Sequence, residues 1–341
     1  MRDRQYRVGV VGAGVVGERL VEVLEQRKFP TAELRIMATS ARRQQFAGRE
    51  REVIAASAEA FEGLDVALFA GTEGESGASR EFGWAAIERG AFVVDNGGDF
   101  RMDERVPLVV PEVNAQALRR HQGFVANPNC STIQMVVALA PLHRAVGIRR
   151  VVVSTYQSVS GTGRAGLRAL QGQRQAAAAG GQADLGPYPH PIFNNAIPQV
   201  GSLKGGDFPG YYTEEVKMVQ ETRKILDSPR LPITATCVRV PVEYSHSEAI
   251  NVELEREVSV DEARRLLSAA PGVVVLDEPG RSVYPLAASA TGQDAVFVGR
   301  IRKDPSRPNA LDLWCVSDNL RKGAALNAVQ IVEKAIQMDL L

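Results

Sequence analysis

The sequence predicts an α/β chain: a parallel, doubly wound sheet first, and an α+β domain after it. Three observations predict it. Short apolar strands alternate with helical stretches over the first 130 residues or so, as in a parallel sheet with crossover helices. After about residue 150 the strands instead alternate apolar and polar residues, the mark of half-buried strands. The length of 341 residues is enough for two sizeable cores. In order, Arg7 to Val11 reads as a buried strand, and Gly12-Ala-Gly-Val-Val-Gly17 follows at once. A helix then runs to about Lys28, with Val16, Leu20, Val23 and Leu24 on one face. Leu34 to Ala38, Val66 to Ala70 and Phe92 to Asp95 are further strands, with a helix at Ser79 to Arg89 among the stretches between them. Val151 to Tyr156 is a strong strand, and residues 172 to 186, rich in Gly, Ala and Gln, read as an exposed loop. Ala235 to Val242, Ala249 to Glu257, Ala295 to Ile301 and Leu311 to Val316 read as antiparallel strands, Ser259 to Ala269 as a helix, and Lys322 to Met338 as a long closing helix.

Forty basic residues balance forty acidic ones, so no global field favours nucleic acid or a membrane surface. No run of 18 apolar residues predicts a spanning helix. The N-terminus enters a strand-like run with no signal-peptide core. The cysteines, at 130, 237 and 315, are odd in number and lack a Cys-x-x-Cys pair, which points to a reducing cytoplasm rather than a disulfide scaffold. The four histidines show no metal-ligand spacing, so no metal is expected.

Gly12-x-Gly14-x-x-Gly17, between a strand and a helix, has the context of a dinucleotide fingerprint of Rossmann type. Its glycines permit a tight turn and let the amides around Val15 and Val16 approach a pyrophosphate. An NAD enzyme usually places an acid at the end of the second strand, for the ribose hydroxyl. Here that stretch is Ala38-Thr39-Ser40-Ala41-Arg42-Arg43, with a hydroxyl and two guanidinium groups suited to a 2′-phosphate. NADP is therefore favoured over NAD, unless Arg42 and Arg43 are a solvated surface pair.

Asn127-Pro-Asn-Cys-Ser-Thr132 sets Cys130 between a proline-rigidified turn and a helix whose apolar positions are Ile133, Val136, Val137 and Ala140. A thiol at a helix N-terminus meets the positive end of the backbone dipole, which favours the nucleophilic thiolate. A half-buried turn cysteine is the plainer alternative. Gln157, in the glycine-rich turn Tyr156 to Gly163, reads locally as a turn amide, or as a group orienting a substrate or acyl intermediate. Thr213 reads as the N-cap of a helix reaching about Leu226. On that helix Glu214 and Lys217 read locally as a surface ion pair. Arg239 shares a strand face with Cys237, opposite Val238, Val240 and Val242, and could hold a carboxylate in bidentate fashion. His246 reads as a structural histidine or as a general acid and base.

Together these segments resemble the aspartate-semialdehyde dehydrogenase family nearly end to end. The most specific are Val109 to Asn114, Asn127 to Gln134, Tyr156 to Gly163, Pro189 to Asn194, Glu214 to Leu226, Val238 to Pro241 and Ser317 to Ala325. The resemblance implies reduction of L-β-aspartyl phosphate to aspartate semialdehyde with NADPH, on the way to lysine, methionine, threonine and isoleucine. It implies Cys130 as nucleophile, His246 as acid and base, and Gln157 orienting the intermediate. It implies Glu214 and Arg239 at the substrate's amino and carboxylate groups, and Arg101, Asn129 and Lys217 at phosphate. Ser160, Gly161 and Asn319 join Gly12, Gly14, Val15, Val16, Gly17, Ser40, Arg42 and Arg43 as cofactor residues. The implied plan is like that of glyceraldehyde-3-phosphate dehydrogenase. An NADP-binding domain covers residues 1–129, rejoined by a C-terminal helix over 322–341, and a catalytic and dimerisation domain covers 130–321. The partners implied are the small-molecule substrate, phosphate and further copies of the chain, as a homodimer or tetramer.

Three departures stand out. The family's glycine loop, usually Gly-Ala-Thr-Gly-Ala-Val-Gly, is one residue shorter here. Asn96-Gly97-Gly98-Asp99 replaces Asn-Ser-Ser, and Ser245-His246-Ser247-Glu248 replaces Gly-His-Ser-Glu. Two alternatives are a related reductase of the N-acetyl-glutamyl-phosphate type and a non-catalytic paralogue with a binding or assembly role.

Overall fold

The computed structural model describes residues 4–71, 77–181 and 183–341. They fall into two compact units, Met1–Asn129 with Ala324–Leu341, and Cys130–Gly323.

The first unit is built on β1 (Tyr6–Val11), β2 (Thr31–Ala38), β3 (Arg42–Phe46), β4 (Arg49–Ala55), β5 (Val66–Phe69), β6 (Phe92–Asp95) and β7 (Phe124–Ala126). Their order in the sheet is β3-β4-β2-β1-β5-β6-β7. Every pairing is parallel except that of β3 with β4. The chain leaves β1 toward β2 on one side, and β5 pairs on the other. Such an order creates a crevice at the carboxyl end of β1, where α/β sheets bind ligands. The helices are α1 (Val15–Gln26), α2 (Ala78–Glu88) and a short α3 (Pro111–Asn114). Val8, Val10, Val66 and Leu68 pack against Leu20, Val21, Val23 and Leu24 of α1 and Val329, Ile331 and Val332 near the C-terminus. The β3–β4 hairpin is absent from the sequence-based expectation. Its residues are charged and alternate toward water, so no apolar run marks it. A two-residue turn, Ala47 (φ 48°) and Gly48 (φ 76°), closes it with both residues left-handed, as a tight hairpin requires.

The second unit contains α4 (Cys130–Val146), β8 (Ile148–Gln157), α5 (Gly163–Ala178), α6 (Thr213–Ile225), β9 (Ile233–Arg239), β10 (His246–Leu254) and α7 (Val260–Ser268). It ends with β11 (Val273–Val275), α8 (Ala287–Ala290), β12 (Val296–Lys303) and β13 (Ala310–Ser317). The sheet order is β11-β12-β13-β10-β8-β9. β10 runs antiparallel to β8 and β13, whereas β9 is parallel to β8 and β11 is parallel to β12. The sheet is therefore mixed, not the antiparallel one expected, because α6 carries the chain back before β9 begins. Helix α5 runs on to Ala178, into the stretch expected as a loop, with Ala169 and Leu170 buried beside Ile192 and Ile197. Ala and Gln are strong helix formers, so propensity outweighs the weak periodicity there. Thr213 is the first helical residue rather than the cap, and its hydroxyl bonds Ser202. The Glu215 carboxylate accepts from the Tyr212 and Cys237 backbone N–H groups at 2.7 and 3.0 Å, tying the helix start to β9. Ser259 caps α7 through Glu262 N–H. A turn of π-helix at Arg321–Ala325 precedes α9 (Leu326–Gln337), where one continuous helix is expected.

Candidate active site and cofactor site

In the first unit, the turn after β1 fits a pyrophosphate. Gly12 has φ 110°, and a Cβ on Gly17 would lie 1.8 Å from the Gly12 carbonyl oxygen. Both positions therefore exclude a side chain. A Cβ on Gly14 would meet nothing within 4 Å, and no side chain caps α1 there. The amides of Val15 and Val16 thus begin a helix beside open space, the arrangement that receives an anion.

Beyond β2, Ser40 is exposed. Arg42 donates from Nη1 to the Ser40 carbonyl at 3.0 Å and from Nε to Gln44 Oε1 at 3.1 Å. Arg43, next along the strand, points to the other face and pairs with Glu50 at 3.2 Å. The two arginines expected at one phosphate are therefore directed apart.

Arg101 is buried and held by backbone carbonyls. Its Nε donates to Asn127 O at 3.0 Å and its Nη2 to Asn96 O at 2.6 Å. The Asn127 amide donates to Asn96 Oδ1 at 2.9 Å and accepts from Asn327 of α9 at 2.6 Å. Asn129 is buried at the end of this segment. Asp95, at the end of β6, has its pKa raised to about 6 by burial, against the opposing pull of the Gly97 N–H and the Arg101 charge.

In the second unit, Cys130 is the first residue of the 17-residue α4 and is partly exposed. A Cβ on Gly323 would come within 2.9 Å of the Cys130 Cβ, so the chain passes close behind the thiol. Cys237 and Cys315 are wholly buried, and burial pushes both thiols up in pKa, away from nucleophilic use. Among the described residues no group of His, Cys, Asp or Glu could hold a metal.

His246 opens β10 and is fully buried. Its Nδ1 accepts the Ser158 backbone N–H at 3.0 Å, with the Ser158 hydroxyl at 3.1 Å. A ring nitrogen that accepts from an N–H carries no proton, so in the neutral ring the proton sits on Nε2. Nε2 is buried and finds no hydrogen-bond partner among the described residues. Burial, and secondly the Arg239 charge, hold the His246 pKa well below its ordinary value, so the ring is neutral at pH 7. A Cβ on Gly161 would lie 2.9 Å from Arg239 Nη1 and 3.3 Å from His246 Nε2, so this glycine lets the two groups crowd one wall. Arg239 is buried and donates from Nη1 to Ser158 O at 2.7 Å.

Gln157 is buried; its Nε2 donates to Glu214 Oε1 at 2.8 Å and its Oε1 accepts from Thr155 at 3.2 Å. Glu214 is therefore turned inward onto Gln157, while Lys217 on the next turn of α6 is half-buried. The fold brings Gln157 to Glu214, and His246 to Arg239 and Gly161.

Asn319 is a hub that local reading misses. Its Oδ1 accepts from the Ser158 and Ser160 hydroxyls, both at 3.1 Å, and from Ser245 N–H at 3.0 Å. The side chains of Ser160 and Asn319 are thus tied to each other and to the loop that fixes His246. Ser158 and Ser245 belong to the same support. Ser245 has φ 69°, a conformation glycine adopts freely, and its hydroxyl bonds Thr291 at 2.9 Å. The serine found where the family usually has glycine is held there by these two bonds.

Comparison with known proteins agrees with this layout. The model for the semialdehyde dehydrogenase NAD-binding domain matches residues 7–121, and that for the semialdehyde dehydrogenase dimerisation domain matches residues 139–322. The first unit is thus a nicotinamide-dinucleotide-binding domain and the second a dimerisation domain. Aspartate-semialdehyde dehydrogenase of Bacillus subtilis is 44% identical over 99% of both chains. That of Aquifex aeolicus is 46% identical over 98% of this chain and 99% of its own. The crystal structure of aspartate semialdehyde dehydrogenase II complexed with ASA, from Vibrio cholerae, superimposes with a TM-score of 0.92 at 40% identity, covering 98% of this chain and 99% of that one. The chain belongs to the aspartate-semialdehyde dehydrogenase family.

Proposed function

We propose that this chain reduces L-β-aspartyl phosphate to L-aspartate 4-semialdehyde, releasing phosphate, with NADPH as reductant and Cys130 as the covalent centre. The reaction serves the synthesis of lysine, methionine, threonine and isoleucine. The observation that carries this reading is the fixed, neutral His246 with its proton on a free Nε2, walled by Arg239 and Gly161.

The Cys130 thiolate, favoured at the start of α4, attacks the acyl carbon and expels phosphate to leave a thioester. Arg239 holds the substrate carboxylate and Glu214 its ammonium group, while Gln157, anchored on Glu214, orients the acyl group. Arg101, Asn129 and Lys217 receive the phosphate. Gly12 to Gly17 would hold a nicotinamide dinucleotide, which would supply the hydride when bound. His246 donates its Nε2 proton to the oxygen that gains charge as the thioester becomes a thiohemiacetal. It takes that proton back as the adduct collapses to aldehyde and frees Cys130. NADP in preference to NAD is supported by the lack of an acid after β2 and by Ser40 and Arg42 in its place. Assembly as a homodimer or tetramer is supported by the match of residues 139–322 to a dimerisation domain.

Phosphate-dependent reduction of NADP by aspartate semialdehyde tests the reading. Turnover that requires both phosphate and the semialdehyde is expected. Turnover with N-acetyl-glutamate semialdehyde in its place, or none with either, would overturn it.

A further inference from the structure

We propose that Gln44 is a positioning residue that makes Arg42 the reader of the cofactor's 2′-phosphate; the inference rests on the NADP reading above. Gln44 lies in the middle of β3 and is half-buried. Its Nε2 donates to the Ala13 carbonyl at 2.9 Å and to Glu18 Oε1 at 3.0 Å. Its Oε1 accepts from Arg42 Nε at 3.1 Å. Both groups at the nitrogen end are acceptors only, and the group at the oxygen end is a donor only, so the amide has one satisfied orientation. One side chain therefore joins the glycine turn, the first turn of α1 and the guanidinium of Arg42.

An exposed arginine ordinarily loses rotamer entropy when it is fixed on a ligand. Arg42 is already held at Nε by Gln44 and at Nη1 by the Ser40 carbonyl, and neither bond uses Nη2. Its guanidinium is thus set beside the Ser40 carbonyl before any anion arrives. Arg43, on the opposite face with Glu50, takes no part. The same amide also bonds the Ala13 carbonyl of the glycine turn. Glutamate at this position would fail at both ends. It would set a carboxylate against Glu18 and the Ala13 carbonyl, and it would neutralise Arg42.

Calorimetric titration of the full chain with 2′,5′-ADP and with 5′-AMP isolates the phosphate's contribution from that of the rest of the nucleotide. Gln44→Leu should weaken 2′,5′-ADP about 5- to 20-fold while changing 5′-AMP less than about twofold, from loss of a charge-assisted bond and of preorganisation. Gln44→Glu should weaken 2′,5′-ADP further, and Gln45→Leu, on the other face of β3, should keep both affinities. Equal losses for the two nucleotides would mean that Gln44 only braces the glycine turn, and unchanged binding would mean that it does neither. Either result overturns the proposal. A wild-type protein that binds both nucleotides equally would instead overturn the NADP reading itself.

Discussion

The support around His246 and the rim around Arg42 are opposite ways of holding a charged or polar reader. Around His246 the groups are buried, and Ser158, Ser160, Ser245 and Asn319 satisfy one another before they serve the ring. Around Arg42 the strand is exposed, and one amide and one carbonyl do the holding. In the buried network an unmet polar group costs far more than at the surface, so a change must be compensated at once. Ser245 illustrates this: it replaces glycine in a left-handed conformation and brings its own bond to Thr291. At the rim, water satisfies whatever a substitution leaves. A substitution there costs the fold little.

The largest break in this comparison is at the thiol. Cys130→Ser should fold normally and lose about 10³-fold or more in kcat, because a hydroxyl is a far weaker nucleophile than a thiolate. Folded Cys237→Ser and Cys315→Ser should stay active, since both thiols are buried with raised pKa values. Near-native rates for folded Cys130→Ser would remove the covalent mechanism.

Next come the two buried arginines, which keep their charge but lose their planar fork as lysine. Arg239→Lys should reduce kcat/KM for the semialdehyde by about 30- to 300-fold, and Arg101→Lys should act chiefly on the phosphate dependence, to a similar extent. Steady-state rates with semialdehyde and phosphate varied independently separate the two. The opposite pattern would exchange the assignments.

Asp95 tests how burial is tolerated in the first unit. Its pKa is raised from 3.8 to about 6. A carboxyl raised on folding contributes stability that is full below its unfolded pKa and is lost as pH rises through its folded pKa. Asp95→Asn should therefore be more stable than the parent at pH 8, by up to about 3 kcal/mol, with the gain fading toward pH 4. Thermal unfolding at the two pH values measures it, and an equal effect at both would show that ionisation is not the cause.

The smallest expected effect is at Ser245. Glycine relieves the left-handed conformation at φ 69° but loses the bond to Thr291, so Ser245→Gly should stay within about 1 kcal/mol of the parent. A β-branched Ser245→Val should be markedly less stable and less active, because neither compensation remains. Melting temperatures and kcat for the pair check this.

Much of the architecture is legible along the chain, because it depends on local pattern. The strand, glycine turn and helix from Tyr6 to Gln26 carry period, punctuation and spacing in 21 consecutive residues. Cys130 at a helix start is likewise local. What escapes is set by neighbours distant in sequence. The β3–β4 hairpin is polar because it is an edge, and β9 is parallel because of where α6 returns it. Gln157 reads as a turn amide until Glu214, 57 residues away, is found on its nitrogen. Asn319 becomes a hub only because β8, β10 and β13 lie side by side. Gln44 carries no signal at all, since a glutamine in a polar strand is ordinary until its three partners are known.

The central claim is that Cys130 carries the acyl group, and trapping that group tests it most directly. With aspartate semialdehyde and NADP but no phosphate, oxidation should stop at the thioester. It should give a burst of NADPH stoichiometric with enzyme and an acyl mass on the peptide that contains Cys130. Added phosphate should then discharge the adduct. A burst with the adduct on another residue, or phosphate-dependent turnover with no adduct at Cys130 in rapidly quenched samples, would contradict the account.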